Sequence, residues 1–332
     1  MLKQNDSVLW SAYDLAILDL DGVVYIGRDA VPGAAGHLAE AVAAGMHLAY
    51  VTNNASRPPR AVAQHLGELG IPAGESDVVT SAQAAARLLA RSLPPGSAVF
   101  VIGGTGLYEA LEEHGLRGVA SSDEQPAAVV SGYAPDLPWA RVSEGAILVR
   151  EGLPWFATNT DHAVPTPRGL GPGNGVLVDA VARFAGREPV VAGKPLTPLF
   201  EETQLRVGGN RPLVVGDRLD TDIEGAANAG LDSLLVLTGV TGLDALVAAD
   251  ARHRPTYIAE DLSGLGQAHQ APEAEGEGYC LRGWHGSVSD GRLVVRGAGA
   301  RADWWRVVAA TAWAYQDTSG QCVDPAGLAA PG

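Results

Sequence analysis

The sequence predicts an α/β protein with three parts: a doubly wound, Rossmann-like parallel-sheet core, a large inserted α/β domain and a small α+β extension at the C-terminus. Three observations predict it. Apolar runs of strand length at 15–19, 47–52, 98–102, 190–192, 213–216 and 233–237 alternate with helical patterns, and such alternation builds a parallel sheet covered on both faces. Several runs stop at polar residues: Asp19 with Asp21, Thr52 with Asn53 and Asn54, and Asp217. In a parallel sheet those carboxyl ends share one edge, where ligands of this class bind. The stretch 81–187 has strand and helix patterns of its own and is too long for a loop. The predicted organisation is a discontinuous core over 1–80 and 188–265, an inserted domain over 81–187, a linker over 266–278 and the extension over 279–332. A chain of 332 residues accommodates two or three domains.

Taken in order, the opening MLKQNDSVLWSAYD has no apolar stretch of signal-peptide length. The run LAILDLDGVVYIG (15–27) ends in two carboxylates at positions i and i+2. Alternate strand residues share a face, so Asp19 and Asp21 converge, and converging anions call for a cation or a shared proton. Gly22 lets the backbone turn sharply behind them. PRAVAQHLGELG (59–70) and SAQAAARLLARSL (81–93) read as helices. VIGGTGLYEAL (101–111) imitates a dinucleotide loop without its full glycine pattern and reads as a strand-to-helix turn. In FATNTDHAVPTPRGLGPGNGVLVDAV (156–181), glycines and prolines mark turns before a helix starting near Gly175. TDIEGAANAG (221–230) is a further helical pattern. GQAHQAPEAEGEG (266–278) has linker composition, YCLRGWHGSVSDGRLVVRG (279–297) reads as strands around an Asp290-Gly291 turn, and ADWWRVVAATAWAYQ (302–316) as an amphipathic helix. Trp304, Trp305 and Trp313 are expected in the core or an interface.

Composition narrows the function. A net charge of −15 with no arginine run argues against a nucleic-acid partner and requires any anion site to be locally positive. No run approaches a membrane span. The two cysteines, Cys280 and Cys322, form no CxxC pair and suit a reducing compartment, so a soluble cytoplasmic protein without a membrane partner is expected. The eight histidines show no metal-ligand spacing, which disfavours zinc. Of 23 basic side chains only Lys3 and Lys194 are lysine, so Lys194 in VAGKPLTP departs from the chain's own habit.

DLDGVVYIG, VTNNASR, AGKP and VVGDRLDTDI, in that order with a large insertion between the second and third, resemble the four motifs of haloacid-dehalogenase-superfamily phosphatases with the large class 2 cap. Together with VTSAQ, PTPRGLGPGNG and the extra C-terminal piece they look most like actinobacterial glycerol-3-phosphate phosphatases. The resemblance spans residues 12 to about 262. It implies that Asp19 is a nucleophile forming an aspartyl-phosphate, and that Asp21 is the general acid and then base. It implies Mg²⁺ held by Asp19, the main-chain carbonyl of Asp21 and Asp217, with Asp222 in or just behind that set. Lys194 would neutralise the nucleophile and phosphate, while Thr52, Asn53 and Asn54 would hold phosphate oxygens. Asn159, Asp161 and His162, in the stretch that faces the core in that family, would govern substrate choice. Each motif alone also reads as a polar turn, strand end or helix cap; their shared order at strand ends argues for chemistry.

The expected activity is Mg²⁺-dependent hydrolysis of a small phosphorylated metabolite, with glycerol 3-phosphate the leading substrate. Phosphoglycolate, a sugar phosphate or pyridoxal phosphate are the alternatives. A dehalogenase would need neither Asp21 nor Asp217, and a non-catalytic phosphometabolite sensor would use the extension to bind a partner. The extension is too small to hold much core alone and is expected to pack on the body of the molecule or on a second subunit of a homo-oligomer.

Overall fold

The computed structural model describes residues 1–166 and 168–331. The chain forms two compact units, Met1–Leu48 with Gly209–Gly332, and Ala49–Gly208. It passes from the first to the second inside the strand His47–Thr52.

The first unit holds the parallel strands Leu15–Leu18, Pro212–Gly216, Asp232–Val236 and Tyr257–Ala259, paired in that order. Nearly every residue in them is buried. Burial on both faces is why they read as unbroken apolar runs instead of alternating ones. The last of them, YIA, is too short and too close to loop residues to stand out in the sequence.

The C-terminal piece is a four-stranded antiparallel sheet, Glu273–Glu275, Gly278–Leu281, Trp284–Ser289 and Arg292–Gly297, followed by the helix Arg301–Ser319. Asp290 and Gly291 both have positive φ, 52° and 77°, the two-residue hairpin turn that Asp-Gly favours. The expectation that this piece packs on the body is met: Trp304, Val307, Val308 and Trp313 share one apolar cluster with Leu235, Leu246, Val247 and Ile258. The helix itself differs from expectation. It is not one-sidedly amphipathic, because residues 303–313 are buried without a break; its own sheet covers it and the Leu243–Val247 helix and the Tyr257–Ala259 strand also pack against it. A helix covered all round has no polar stripe. The stretch 266–278 differs too: it contains the fully buried His269, which pairs with Asn5, and the strand Glu273–Glu275. Its Pro, Glu and Gly content conceals that anchoring.

In the second unit the strand ending at Thr52 pairs in parallel with Val78–Thr80, and a five-stranded parallel sheet runs in the order Val190–Val191, Trp155–Ala157, Ala128–Ser131, Ala98–Ile102, Arg117–Val119. The run at 190–192, read from the sequence as part of the core alternation, thus joins the sheet of the inserted region. Gly103–Gly104 form the predicted strand-to-helix turn before the helix Thr105–Glu113. The helix Ser81–Ser92 opens with a capping box in which Thr80 and Gln83 satisfy each other's main-chain N–H groups. The helix predicted near Gly175 runs Asn174–Ala185. Pro167 of the PTPRGLGPGNG motif lies outside the described residues. Among the described residues no helix is long and apolar enough to cross a membrane.

Candidate active site

Three carboxylates meet in the first unit. Asp19 follows the Leu15–Leu18 strand, Asp217 follows the Pro212–Gly216 strand, and Asp222 lies in the helical turn Leu219–Ile223. One oxygen from each lies within 4.8 Å of the others, and Asp217 and Asp222 are completely buried. Three anions so close in a desolvated place repel strongly unless a cation joins them. The donor set is all oxygen, with no sulfur or imidazole, which suits a hard divalent ion such as Mg²⁺ or Ca²⁺. Asp21 is outside this cluster and exposed, as a proton donor to an arriving substrate would be.

The glycines around the cluster are there for space. At Gly22, where φ is +88°, a β-carbon would lie 2.6 Å from Asp217 Oδ2. At Gly239 it would lie 1.9 Å from the same oxygen, and at Gly216 it would meet the Asp222 side chain at 2.2 Å. The loop after the Asp232–Val236 strand completes the cradle. Val240 N–H donates to Asp217 Oδ2 at 2.6 Å, Thr241 donates through both N–H and hydroxyl to the Asp217 carbonyl, and the Thr238 hydroxyl donates to the Gly22 carbonyl. Arg218 N–H donates to Asp222 Oδ2 at 3.1 Å. Sequence reading missed this loop; the available signal was LLVLTGVTG, a strand ending in glycine between hydroxyl residues.

The remaining predicted residues except His162 form a second network, inside the other unit, centred on buried Asn53. Its side-chain NH₂ donates to Asp161 Oδ2 at 3.0 Å and to the Lys194 carbonyl at 3.1 Å, while its Oδ1 accepts Lys194 N–H at 2.8 Å. The Asn53 carbonyl in turn accepts from the Asn159 amide and the Ser81 hydroxyl. Asn174, missed from the sequence, donates to the Asn159 carbonyl at 2.7 Å. Gly193 is again a matter of space, since a β-carbon there would lie 2.5 Å from the Thr158 carbonyl and 2.6 Å from Asn53 Oδ1. Thr52 Oγ accepts from Asn54 N–H, and Asn54 Oδ1 accepts from Ser56. The structure therefore brings Thr52, Asn53, Asn54, Asn159, Asp161 and Lys194 into one connected set. His162 is exposed and bonds Asp179 at 2.9 Å.

Comparison with known proteins places the chain. Residues 16–117 match a haloacid dehalogenase-like hydrolase family model, and residues 191–265 match a second, HAD-hydrolase-like model. A D-glycerol 3-phosphate phosphatase of Mycobacterium tuberculosis is 44% identical over 287 residues, covering 85% of this chain and 78% of that one. A 5′-nucleotidase of Bacillus subtilis is 36% identical, covering 74% of this chain and 95% of its own. Among solved structures, the M. tuberculosis glycerol phosphate phosphatase in complex with magnesium superimposes with a TM-score of 0.85 at 41% identity, covering 92% of each chain. A p-nitrophenyl phosphatase from Archaeoglobus fulgidus gives 0.70 at 29% identity over 76% of this chain and 98% of that one. Four strand-end motifs, a carboxylate cluster built from two of them and these matches agree: the chain belongs to the haloacid dehalogenase-like hydrolases.

Proposed function

We infer that the chain is a Mg²⁺-dependent phosphatase of small phosphate monoesters, with glycerol 3-phosphate as substrate. The observation that carries the reading is the meeting of Asp19 and Asp217, at the ends of paired parallel strands, with Asp222 of the following helical turn. Asp19, Asp217 and Asp222, with the main-chain carbonyl of Asp21, would hold the ion. Bound there, Mg²⁺ supplies charge that offsets the phosphate and the three carboxylates.

The chain's own residues then divide the work. An Asp19 carboxylate oxygen attacks phosphorus as the bond to the substrate oxygen breaks, giving an aspartyl-phosphate. Asp21 donates its proton to the leaving alkoxide, then takes a proton from the water that attacks the same phosphorus; phosphate leaves and Asp19 is regenerated. Lys194 supplies positive charge to the phosphoryl oxygens, and the Thr52 hydroxyl and Asn53 main-chain N–H serve as donors. The Asn53 side chain orders Lys194 and Asp161 instead.

Residues 81–187 form the cap in this reading, and 1–80 with 188–265 the core. Asn159 and Asp161 position the cap segment through Asn53, and with His162 they are the specificity residues. The substrate rests on the 44% identity to the D-glycerol 3-phosphate phosphatase. A cytoplasmic location is supported by two free cysteines. The deciding experiment is phosphate release from glycerol 3-phosphate, phosphoglycolate, sugar phosphates, pyridoxal phosphate and nucleoside 5′-monophosphates, with and without Mg²⁺, using Asp19→Asn as blank. Metal-dependent release with kcat/KM highest for glycerol 3-phosphate is expected. A preference for another ester overturns the substrate, and activity retained in Asp19→Asn overturns the nucleophile.

A further inference from the structure

A second cluster of potential metal ligands lies in the C-terminal sheet, with different chemistry. Glu275, Cys280 and His285 each place one ligand atom within 4.8 Å of the others. No sequence spacing announces them, because they come from three strands and meet through register. Glu273 faces Cys280, and Cys280 faces His285, in directly opposed cross-strand pairs. Glu275, two residues from Glu273, shares its face. The opposite face of the sheet carries Gly286, where a β-carbon would touch Thr311 and Val307 of the long helix. The Cys280–His285 row therefore points away from the helix.

We propose that Glu275, Cys280 and His285 form a binding site for a borderline-soft divalent transition ion of the Zn²⁺ type, with water completing a tetrahedron. Thiolate, imidazole and carboxylate are the donor set such ions select, whereas Mg²⁺ takes oxygen ligands in octahedral geometry. Tetrahedral Zn²⁺ with its usual bond lengths separates neighbouring ligand atoms by about 3.3–3.8 Å. Side chains already within 4.8 Å of one another reach those separations by shifts of about an ångström. Glu275 and His285 are exposed and free to make that movement. Glu275 Oε2 and His285 Nδ1, in contact at 2.5 Å, would exchange this mutual bond for bonds to the ion.

Charge favours a cation here. Glu273, Glu275 and Glu277 crowd one short segment of a chain whose net charge is −15. Arg296, opposite His285 in the next strand, ends the ligand row. The bound ion would tie the short edge strand Glu273–Glu275 to the two strands beside it.

The test is Co²⁺ titration of the full chain in excess Mg²⁺, which fills the all-oxygen cluster. Cobalt bound through a thiolate gives a near-ultraviolet charge-transfer band and intense visible bands; an octahedral oxygen site gives neither. A saturable signal at one ion per chain is expected, lost in Cys280→Ser, retained in Cys322→Ser and displaced by Zn²⁺. Removing one ligand by His285→Ala or Glu275→Ala should weaken binding at least about tenfold. Circular dichroism checks that the variants stay folded, and Mg²⁺-dependent turnover should be unchanged in Cys280→Ser. No thiolate band in the unmodified chain, a band that survives Cys280→Ser, or affinity indifferent to His285 and Glu275 overturns the site.

Discussion

Asp217 is the most closely held side chain among the acids of the site. Gly22 and Gly239 leave room for its carboxylate from two directions, and Val240 N–H fixes one of its oxygens. Gly239→Ala would put a methyl group 1.9 Å from that oxygen, so the carboxylate must swing away. The expected result is a loss of about 10–100-fold in kcat/KM with a raised Mg²⁺ requirement, measured by metal-dependent turnover. Gly242→Ala, where nothing lies within 4 Å of the new β-carbon, is the matched control and should be silent. Asp19, Asp21 and Asp217 were legible in the sequence because an acid that ends an apolar run is conspicuous. Gly239 was not: a loop glycine whose duty is to leave space for a distant side chain carries no local signal.

Among elements, the buried carboxylate of Glu202 joins three helices of the second unit. It lies on Pro198–Val207, pairs with Arg206 on the same helix, meets Arg87 from Ser81–Ser92, and lies 3.7 Å from His114 just after Thr105–Glu113. Burial alone would raise its pKa, but nearby His114, the hydrogen bond from Arg206 and the charges of Arg206 and Arg87 outweigh it and hold it at about 2. The folded value is depressed below the ordinary 4.5, so the stabilisation is fully present above pH 4.5 and is lost as pH falls towards 2. Glu202→Gln should lower the melting temperature of this unit at neutral pH and flatten its acid dependence below 4.5, read by thermal denaturation across pH. Asn53 joins segments through neutral groups: Asn53→Ala removes partners from the buried Lys194 N–H and Lys194 carbonyl. Unsatisfied buried groups cost about 1–3 kcal/mol each. A drop in both melting temperature and kcat is expected, with Lys194 displaced. The helices here were legible from their periodicity and caps, whereas the short strands Val78–Thr80, Arg117–Val119 and Trp155–Ala157 are three residues each, too few for any period to show.

For the whole chain, the C-terminal piece is a structural part of the body, since its helix fills the same apolar cluster as Leu235, Leu246, Val247 and Ile258. Ending the chain before residue 279 would expose that cluster, and the truncated protein should aggregate on expression; a soluble, fully active truncation would contradict this. A polar knot fixes the same seam. Arg306, buried, donates to the Ile258 carbonyl, to Asp303 and to His269 Nδ1 at 3.1 Å, while His269 Nε2 donates to the Gly264 carbonyl at 2.9 Å. His269 is therefore neutral, with Nδ1 as acceptor. Burial first, and the Arg306 charge second, depress its pKa from 6.5 to about 4. An imidazole kept neutral in the fold but free to protonate when unfolded leaves stability intact above pH 6.5 and erodes it as pH falls towards 4, by up to about 3 kcal/mol. This window lies higher than that of Glu202, so on acidification the unit holding the carboxylate cluster should weaken first. His269→Gln keeps a donor and an acceptor without the titration, and its denaturant midpoint should fall less between pH 6.5 and 4 than that of the unmodified chain. Equal slopes for the two proteins in that window would show that the knot does not govern acid stability.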